Sequence, residues 1–336
     1  MIVVTGGTGL VGAHLLYDLC KKHKHIRALK RQSSDLEQVK KTFSYYSDDA
    51  ESLFKKIEWV DADITDYFSL EDAFKGAKQV YHVAAMVSFQ EKDNRKIMEI
   101  NVKGTANVVN AALHHKIEKL CYVSSIAALG RPDANEEATE DTPWKDSDKS
   151  SPYSISKYKA ELEVWRGIEE GLDAVIVNPA VILGPAKWNN GSAALFSLIW
   201  KGIKFYTTGE NAYVYVRDVS RAMIELMESN ITSERFILSA ENVSYKQLFN
   251  LMAHNLGKAE PSIAVKPWMI ELSWRLIKIS SFFTGKQPSL TKDTARSSMK
   301  ISRYSSNKIK ESLGFKFTSL EEMIKLTAKQ FLHEQA

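Results

Sequence analysis

Residues 1–16 read MIVVTGGTGLVGAHLL. The stretch that decides the fold is TGGTGLVG, residues 5–12. It follows a short apolar run suited to a buried strand (1–6) and opens the amphipathic pattern VGAHLLYDLCKKH (11–23) of a helix. Gly7, Gly9 and Gly12 satisfy G-x-G-x-x-G, and Gly6, Gly9 and Gly12 satisfy a three-residue glycine repeat. Glycines permit a tight turn and close backbone approach, while a helix N-terminus offers free N–H groups and the positive end of its dipole. In strand–turn–helix context the stretch therefore predicts a pyrophosphate site for a dinucleotide, contacted by Gly6, Thr8, Gly9, Leu10, Val11 and Gly12.

The next 170 residues repeat that rhythm. Strands are predicted at 26–31, 57–63, 79–85, 119–125 and 174–184. Helices fall between them at 69–76, 95–116 and 151–171. Ser69 is the expected cap of the first, with Asp72 in the capping-box place; Ser151 and Pro152 open the last. Alternation of this kind gives right-handed strand–helix–strand units. The fold class is thus α/β, a Rossmann-type doubly wound parallel sheet with helices on both faces plus a smaller C-terminal substrate-binding lobe. Residues 1–183 make the first domain, with a return segment at about 210–235. The lobe takes 184–209 and 236–336, with helices at 192–202 and 244–257 and strands at 212–216 and 235–239. Asp218 is placed to cap a helix over 219–229.

Composition narrows the function. The 336 residues are 44% hydrophobic and 26% charged, with a net charge of +4, ordinary values for a globular protein. The densest basic stretch, KKHKHIRALKR (21–31), reads as a helix end running into a strand, and no basic tail or basic–aromatic interleaving points to nucleic acid. Cys20 and Cys121 lack metal-ligand spacing and read as buried thiols of a cytoplasmic protein. No metal is expected. No run is long enough to span a membrane, and the apolar segment 268–283, with Glu271, Arg275 and Lys278, reads as an amphipathic helix packed on the body.

Two further stretches bear on the dinucleotide. An NAD site commonly places an acid about 20 residues past the glycines, on the ribose hydroxyls. Lys30 and Arg31 stand there instead, and two cations attract a 2′-phosphate, which favours NADP over NAD unless both are plain surface cations. In DADITD (61–66), Asp63 at a strand end can accept from an adenine amino group while Ile64 covers the ring, or Asp63 can simply cap a turn.

Taken in order, these stretches resemble the extended short-chain dehydrogenase/reductases, the NAD(P)-dependent epimerase/dehydratase superfamily. The resemblance rests on Gly6, Gly9 and Gly12, on Asp63, and on HVAA (82–85), NVKGTANV (101–108), YVSS (122–125), Tyr153 with Lys157, and NPAVILGP (178–185). IRALKR, VNPAVILGP and TGKQPSLT (284–291) look most like the dihydroflavonol-reductase-like branch. The resemblance implies an enzyme with Ser125, Tyr153, Lys157 and Asn101 as catalytic residues, Asn101 relaying protons through water and Lys157 also bonding the nicotinamide ribose. It adds Val83, Ala84, Ala85, Val123, Pro179 and Val181 to the cofactor contacts. It also implies a homodimer through helices 95–116 and 151–171.

Tyr-x-x-x-Lys itself occurs three times, at Tyr17/Lys21, Tyr153/Lys157 and Tyr304/Lys308. Only Tyr153/Lys157 follows a strand-end serine. An ordinary phenol has a pKa near 10, and an ammonium on the same helix face is expected to lower it. The expected reaction is NADP(H)-dependent reduction of a ketone or aldehyde to an alcohol, with Tyr153 as proton donor. The rivals are a nucleotide-sugar epimerase, a 3β-hydroxysteroid dehydrogenase-like enzyme and a non-catalytic NADP sensor. Ser125 is followed by IAALG, which lacks the acidic pair of the family's dehydratases. Met86, Ser88, Phe89, Ile126, Ala127, Tyr153 and segment 185–196 are expected around a small-molecule substrate. His82 and Arg217 read as structural partners.

Overall fold

The computed structural model describes residues 1–130, 132, 136–145, 150–284 and 291–335. Seven strands form one parallel sheet: β1 (Ile2–Thr5), β2 (Ile26–Lys30), β3 (Ile57–Asp61), β4 (Gln79–His82), β5 (Lys119–Val123), β6 (Ala174–Pro179) and β10 (Glu234–Leu238). Their spatial order is β10-β6-β5-β4-β1-β2-β3. Every pairing is parallel. β1 and β6 are buried along their whole length, the pattern of strands covered on both faces.

Alternate residues feed two apolar layers. Ile2, Val4, Val175 and Val177 point to the layer that holds Leu15, Leu16 and Leu19 of the glycine-loop helix (Leu10–Lys22). Val3, Ala174 and Ile176 point to the opposite layer, with Val108, Val109, Ala160 and Val164. Each fully buried valine or isoleucine contributes about 1.5–3 kcal/mol. The glycine-loop helix packs on a helix at Val216–Glu228, and the long helix 94–114 packs on the helix Pro152–Glu169. The chain runs β1–β2–β3 in one direction and restarts at β4 on the other side of β1. That reversal opens a crevice at the carboxyl ends of β1 and β4.

Several local expectations change. The helix near 69–76 begins two residues earlier, at Tyr67–Ala73, because Asp66 caps it by accepting from the Phe68 N–H at 3.1 Å. Ser69 lies inside it and donates to the Asp63 and Asp66 carbonyls. The long helix is interrupted: Asn94–Met98 and Gly104–His114 are α-helical, with a π-turn at Glu99–Lys103 between them. The strand read at 174–184 bends at Ala180, whose N–H donates to the Leu238 carbonyl. Beyond the bend, β7 (Val181–Leu183) joins a second sheet with β9 (Glu210–Tyr215) and β11 (Glu241–Ser244), in the order β11-β9-β7. β8 (Phe205–Tyr206) and β12 (Ile263–Ala264) pair separately.

Asp218 is not a cap, since the helix starts at Val216. It is buried in the first turn and accepts from Arg221 and from the Thr318 N–H and hydroxyl. β10 extends the large sheet past residue 235, so Phe236–Leu238 belong to that sheet and not to the small lobe. The apolar segment near 268–283 is a helix, Pro267–Thr284. Ile270 is buried, but Trp268, Leu272 and Leu276 are 64%, 48% and 56% exposed, so packing covers one face only. No described helix is long and apolar enough to cross a membrane. Residues 285–290 of the TGKQPSLT stretch, and 131, 133–135 and 146–149 of the polar loop 130–150, lie outside the described residues.

Candidate active site

The glycine loop lies at the mouth of the crevice. Gly6 has a φ of +69°, and a Cβ there would lie 2.5 Å from the Ala84 nitrogen. A Cβ on Gly12 would lie 2.1 Å from the Gly6 carbonyl oxygen. These two glycines are required by the protein's own packing. Gly9 differs. Its φ is −82°, and a Cβ would meet only the Gly6 carbonyl oxygen, at an ordinary 3.4 Å. Gly9 opens the helix without a side-chain cap, and the first turn carries no acid. The first N–H groups, at Leu10, Val11 and Gly12, have no partner one turn back. This is a cradle that a Cβ at residue 9 would fill and that fits a pyrophosphate. The Thr5 hydroxyl fastens the crevice by accepting from the Val83 and Ala84 N–H groups at 3.2 Å each. Thr8, Val83 and Ala84 are half-buried beside the loop, and Ala85 is exposed.

On the far side of β1, the β2–β3 register places Lys30 opposite Asp61, and their side chains pair at 2.5 Å. Arg31 is exposed and is the freer cation. Asp63 uses Oδ1 within its own turn, accepting from the Thr65 N–H at 2.9 Å and the Thr65 hydroxyl at 2.8 Å. Ile64 is 8% exposed and packs against Gly104.

The catalytic candidates stand at the ends of β5 and of the helix Pro152–Glu169. Ser151 and Pro152 start that helix as the sequence suggests, the Ser151 hydroxyl accepting from the Ser154 N–H at 3.1 Å. Tyr153 lies in the first turn and meets Phe89 edge-on, ring centroids 5.5 Å apart. Ser125 Oγ accepts from the Ala127 N–H at 3.1 Å, holding the strand end in a tight turn. Lys157, 1% exposed, donates to the Tyr122 hydroxyl at 3.0 Å and the Val123 carbonyl at 2.8 Å. Burial pulls Lys157 down to about 7, with Glu161 opposing. Burial pushes the Tyr153 phenol up, with the Ser125 hydroxyl opposing. The expected lowering of Tyr153 by Lys157 is therefore not what this geometry does. The ammonium's bonds run to Tyr122 and Val123, and desolvation dominates the phenol.

Asn101 sits in the π-turn, buried. Its Oδ1 accepts from the Met86 N–H at 2.7 Å, and its Nδ2 donates to the Met86 carbonyl and the Ser156 hydroxyl, both at 3.0 Å. Both amide hydrogens are used, so the side chain serves as a clamp between the β4 loop and the Tyr153 helix.

The sequence profile of the NAD dependent epimerase/dehydratase family matches residues 2–238. The chain belongs to that family. A Synechocystis protein carrying the name dihydroflavonol 4-reductase is 29% identical, over 96% of this chain and 91% of that protein. Cinnamoyl-CoA reductase 1 of Petunia hybrida is 27% identical over 98% and 91% of the two chains. The crystal structure of gox2253 superposes with a TM-score of 0.81 at 29% identity, covering 99% of this chain and 98% of that one. Within the family, this chain is an NAD(P)-dependent oxidoreductase of the short-chain dehydrogenase/reductase type.

On the substrate side, several of the expected residues are already engaged or buried. The Met86 backbone is fixed by Asn101, while Ser88 donates to Asp93 at 2.6 Å and accepts from the Gln90 N–H, so its hydroxyl is already engaged. Phe89 is 39% exposed beside Tyr153. Ile126 is buried and Ala127 half-buried. Phe196 is fully buried against Trp188 and Phe331. Pro179 is buried and Val181 half-buried where β6 gives way to β7. His82 is a satisfied core histidine: Nδ1 bonds the Thr5 hydroxyl at 2.8 Å, Nε2 bonds the Thr105 hydroxyl at 3.0 Å, and the ring stacks on Tyr122. Burial holds it down to about 3, so it is neutral near pH 7. Arg217 pairs with Asp18 at 2.5 Å and lies over the Tyr17 and Tyr46 rings. Sequence reading passed over Tyr122, Glu161 and Arg235. The one available signal was the placement of Glu161 four residues after Lys157.

Proposed function

We propose that this enzyme reduces a ketone or aldehyde to an alcohol with NADPH, Tyr153 donating the proton. The observation that carries the reading is the meeting of three things at one end of the sheet. The glycine cradle follows β1, Ser125 follows β5, and Tyr153 lies one helical turn before the buried Lys157. When bound, the cofactor supplies hydride. The protein supplies position and a proton. A phenol raised by burial stays protonated near pH 7, the state that reduction needs. Ser125 would hold the substrate oxygen beside it, and Lys157 would hold the nicotinamide ribose. Arg31 is the residue proposed for the 2′-phosphate, because Lys30 is already paired with Asp61. The apolar or small residues Met86, Phe89, Ile126 and Ala127 support a hydrophobic carbonyl over a charged sugar nucleotide.

NADPH consumption over a panel of aldehydes and ketones tests the reading. Turnover of at least one is expected, with NADPH preferred to NADH. Tyr153→Phe should lower kcat by about 10²- to 10⁴-fold and leave NADPH binding nearly unchanged. Retained activity would remove Tyr153 from its role. Binding without turnover on any carbonyl would favour a sensor.

A further inference from the structure

We infer that Glu161 is a positioning residue of this site, fixing the Ser125 strand end through a buried chain of side chains that reaches the edge strand β10, and supplying from the same helix face the negative charge that offsets the buried Lys157 ammonium. The inference rests on the roles proposed above for Ser125 and Lys157. Glu161 lies four residues after Lys157, on the same helix face, and is 2% exposed. Its Oε2 accepts from the Ser124 hydroxyl at 2.6 Å and from the Asn178 amide at 2.8 Å. That amide also donates to the Ser125 carbonyl at 3.1 Å. Oε1 accepts from Arg235 Nη1 at 2.9 Å. Arg235 in turn holds the Glu140 carbonyl through Nε at 2.9 Å, and the Glu140 carboxylate accepts from the Ile237 N–H at 2.7 Å. One carboxylate thus ties together the segment just after β5, the end of β6, and β10.

Its second task is electrostatic. A buried ammonium is costly unless an opposite charge faces it. Lys157 is faced by Tyr122 and the Val123 carbonyl from β5, by neutral His82 from β4, and by Glu161 from its own helix. Arg235 on β10 and Glu140 on the loop stand behind Glu161. Among these, Glu161 is the anion that opposes the pull of burial on Lys157. Arg235 offsets part of its charge. Removing Glu161's charge should therefore release the Lys157 proton at lower pH, and removing Arg235 should retain it to higher pH.

The test uses the full chain with lysines labelled at ¹³Cε, the Lys157 resonance being assigned by its loss in Lys157→Met. Glu161→Gln should move the Lys157 titration midpoint down by about one pH unit or more. The basic limb of the pH–rate profile should move with it. Arg235→Met should move both up. Glu161→Asp, which keeps the charge and shortens the reach, should keep the midpoint and lower kcat. An unmoved midpoint in folded Glu161→Gln, or shifts of the same sign in the two variants, overturns the inference. Should Glu161→Gln fail to fold by circular dichroism, Arg235→Met decides, and a midpoint that stays or falls is fatal. The resonance needs no turnover. An enzyme inactive on every carbonyl would refute the proposed reaction while the midpoint still decides the role of Glu161.

Discussion

Around β1 the crevice is shaped by backbone: Gly6 against Ala84, Gly12 against the Gly6 carbonyl, and a helix end free of side-chain charge. Around β5 it is shaped by buried side chains: Lys157 on Tyr122, His82 between two threonines, Asn101 on Met86, and Glu161 on Ser124 and Asn178. The first region has almost nothing to titrate and gains its specificity from the absence of atoms. The second concentrates ionisable groups where water is scarce, so its behaviour depends on charge and pH. One half suits a large anionic ligand with a constant demand, the other a step in which a proton moves.

The contrast can be broken most forcefully at the glycines. Gly12→Ala puts a Cβ into backbone and should cost about 3 kcal/mol, seen as a large fall in the urea midpoint. Gly9→Ala should stay within about 0.5 kcal/mol of the parent and yet lose about tenfold or more in NADPH affinity. Equal stability losses at the two positions would erase the distinction between packing glycine and cradle glycine.

On the side-chain half, pH is the lever. His82 ionises near 6.5 in an unfolded chain, and burial holds its folded value at about 3. Protons therefore favour the unfolded chain. The stability carried by the neutral ring is complete above pH 6.5 and is lost as pH falls towards 3. The urea midpoint of the parent should fall across that window, and in His82→Gln it should fall less steeply. Identical slopes would mean that His82 is not buried neutral.

Asn101→Ala should cost about 1–3 kcal/mol, because the Met86 N–H and carbonyl and the Ser156 hydroxyl lose their partner. It should also raise KM for the carbonyl as the loop around Met86 loosens. A thermal melt with unchanged midpoint would remove the clamp. The smallest effect is expected at the cofactor's outer end. Arg31→Ser should weaken NADPH relative to NADH by about tenfold, or 1.4 kcal/mol, and Lys30→Met by less, since Asp61 already pairs with Lys30. Equal losses for both cofactors would remove the phosphate role from Arg31.

The same division explains what the sequence made legible. TGGTGLVG could be read because its strand–turn–helix setting is local and Gly12 is held against the Gly6 carbonyl within the loop, although the atom that excludes a side chain at Gly6 belongs to Ala84. The parallel sheet followed from apolar runs whose alternate residues enter two layers. Tyr153 and Lys157 were picked out by their order after Ser125. The destination of Lys157 was hidden, because Tyr122 and Val123 are more than thirty residues away and become neighbours only when β5 pairs with β6. The pairing of Lys30 with Asp61 was hidden because it is set by strand register. The packing of Ile64 against Gly104 was hidden because nothing local shows that Gly104 leaves room for it. The bend at Ala180 was missed because VNPAVILG stays apolar through it, although the polypeptide changes sheets.

The π-turn at Glu99–Lys103 has a consequence for length changes in this chain. It accommodates one residue more than an α-helical path would, and successive residues on a helix are set about 100° apart. Deleting one residue there would leave a continuous helix with better internal hydrogen bonding and its apolar side nearly intact. It would leave the segments on either side near their present angle, because the π-turn absorbs the extra residue, but it would remove the bulge that turns Asn101 towards Met86. A shortened chain could then be as heat-resistant as the parent and a poorer enzyme. An alignment that closed a single-residue gap in this helix would hide that difference.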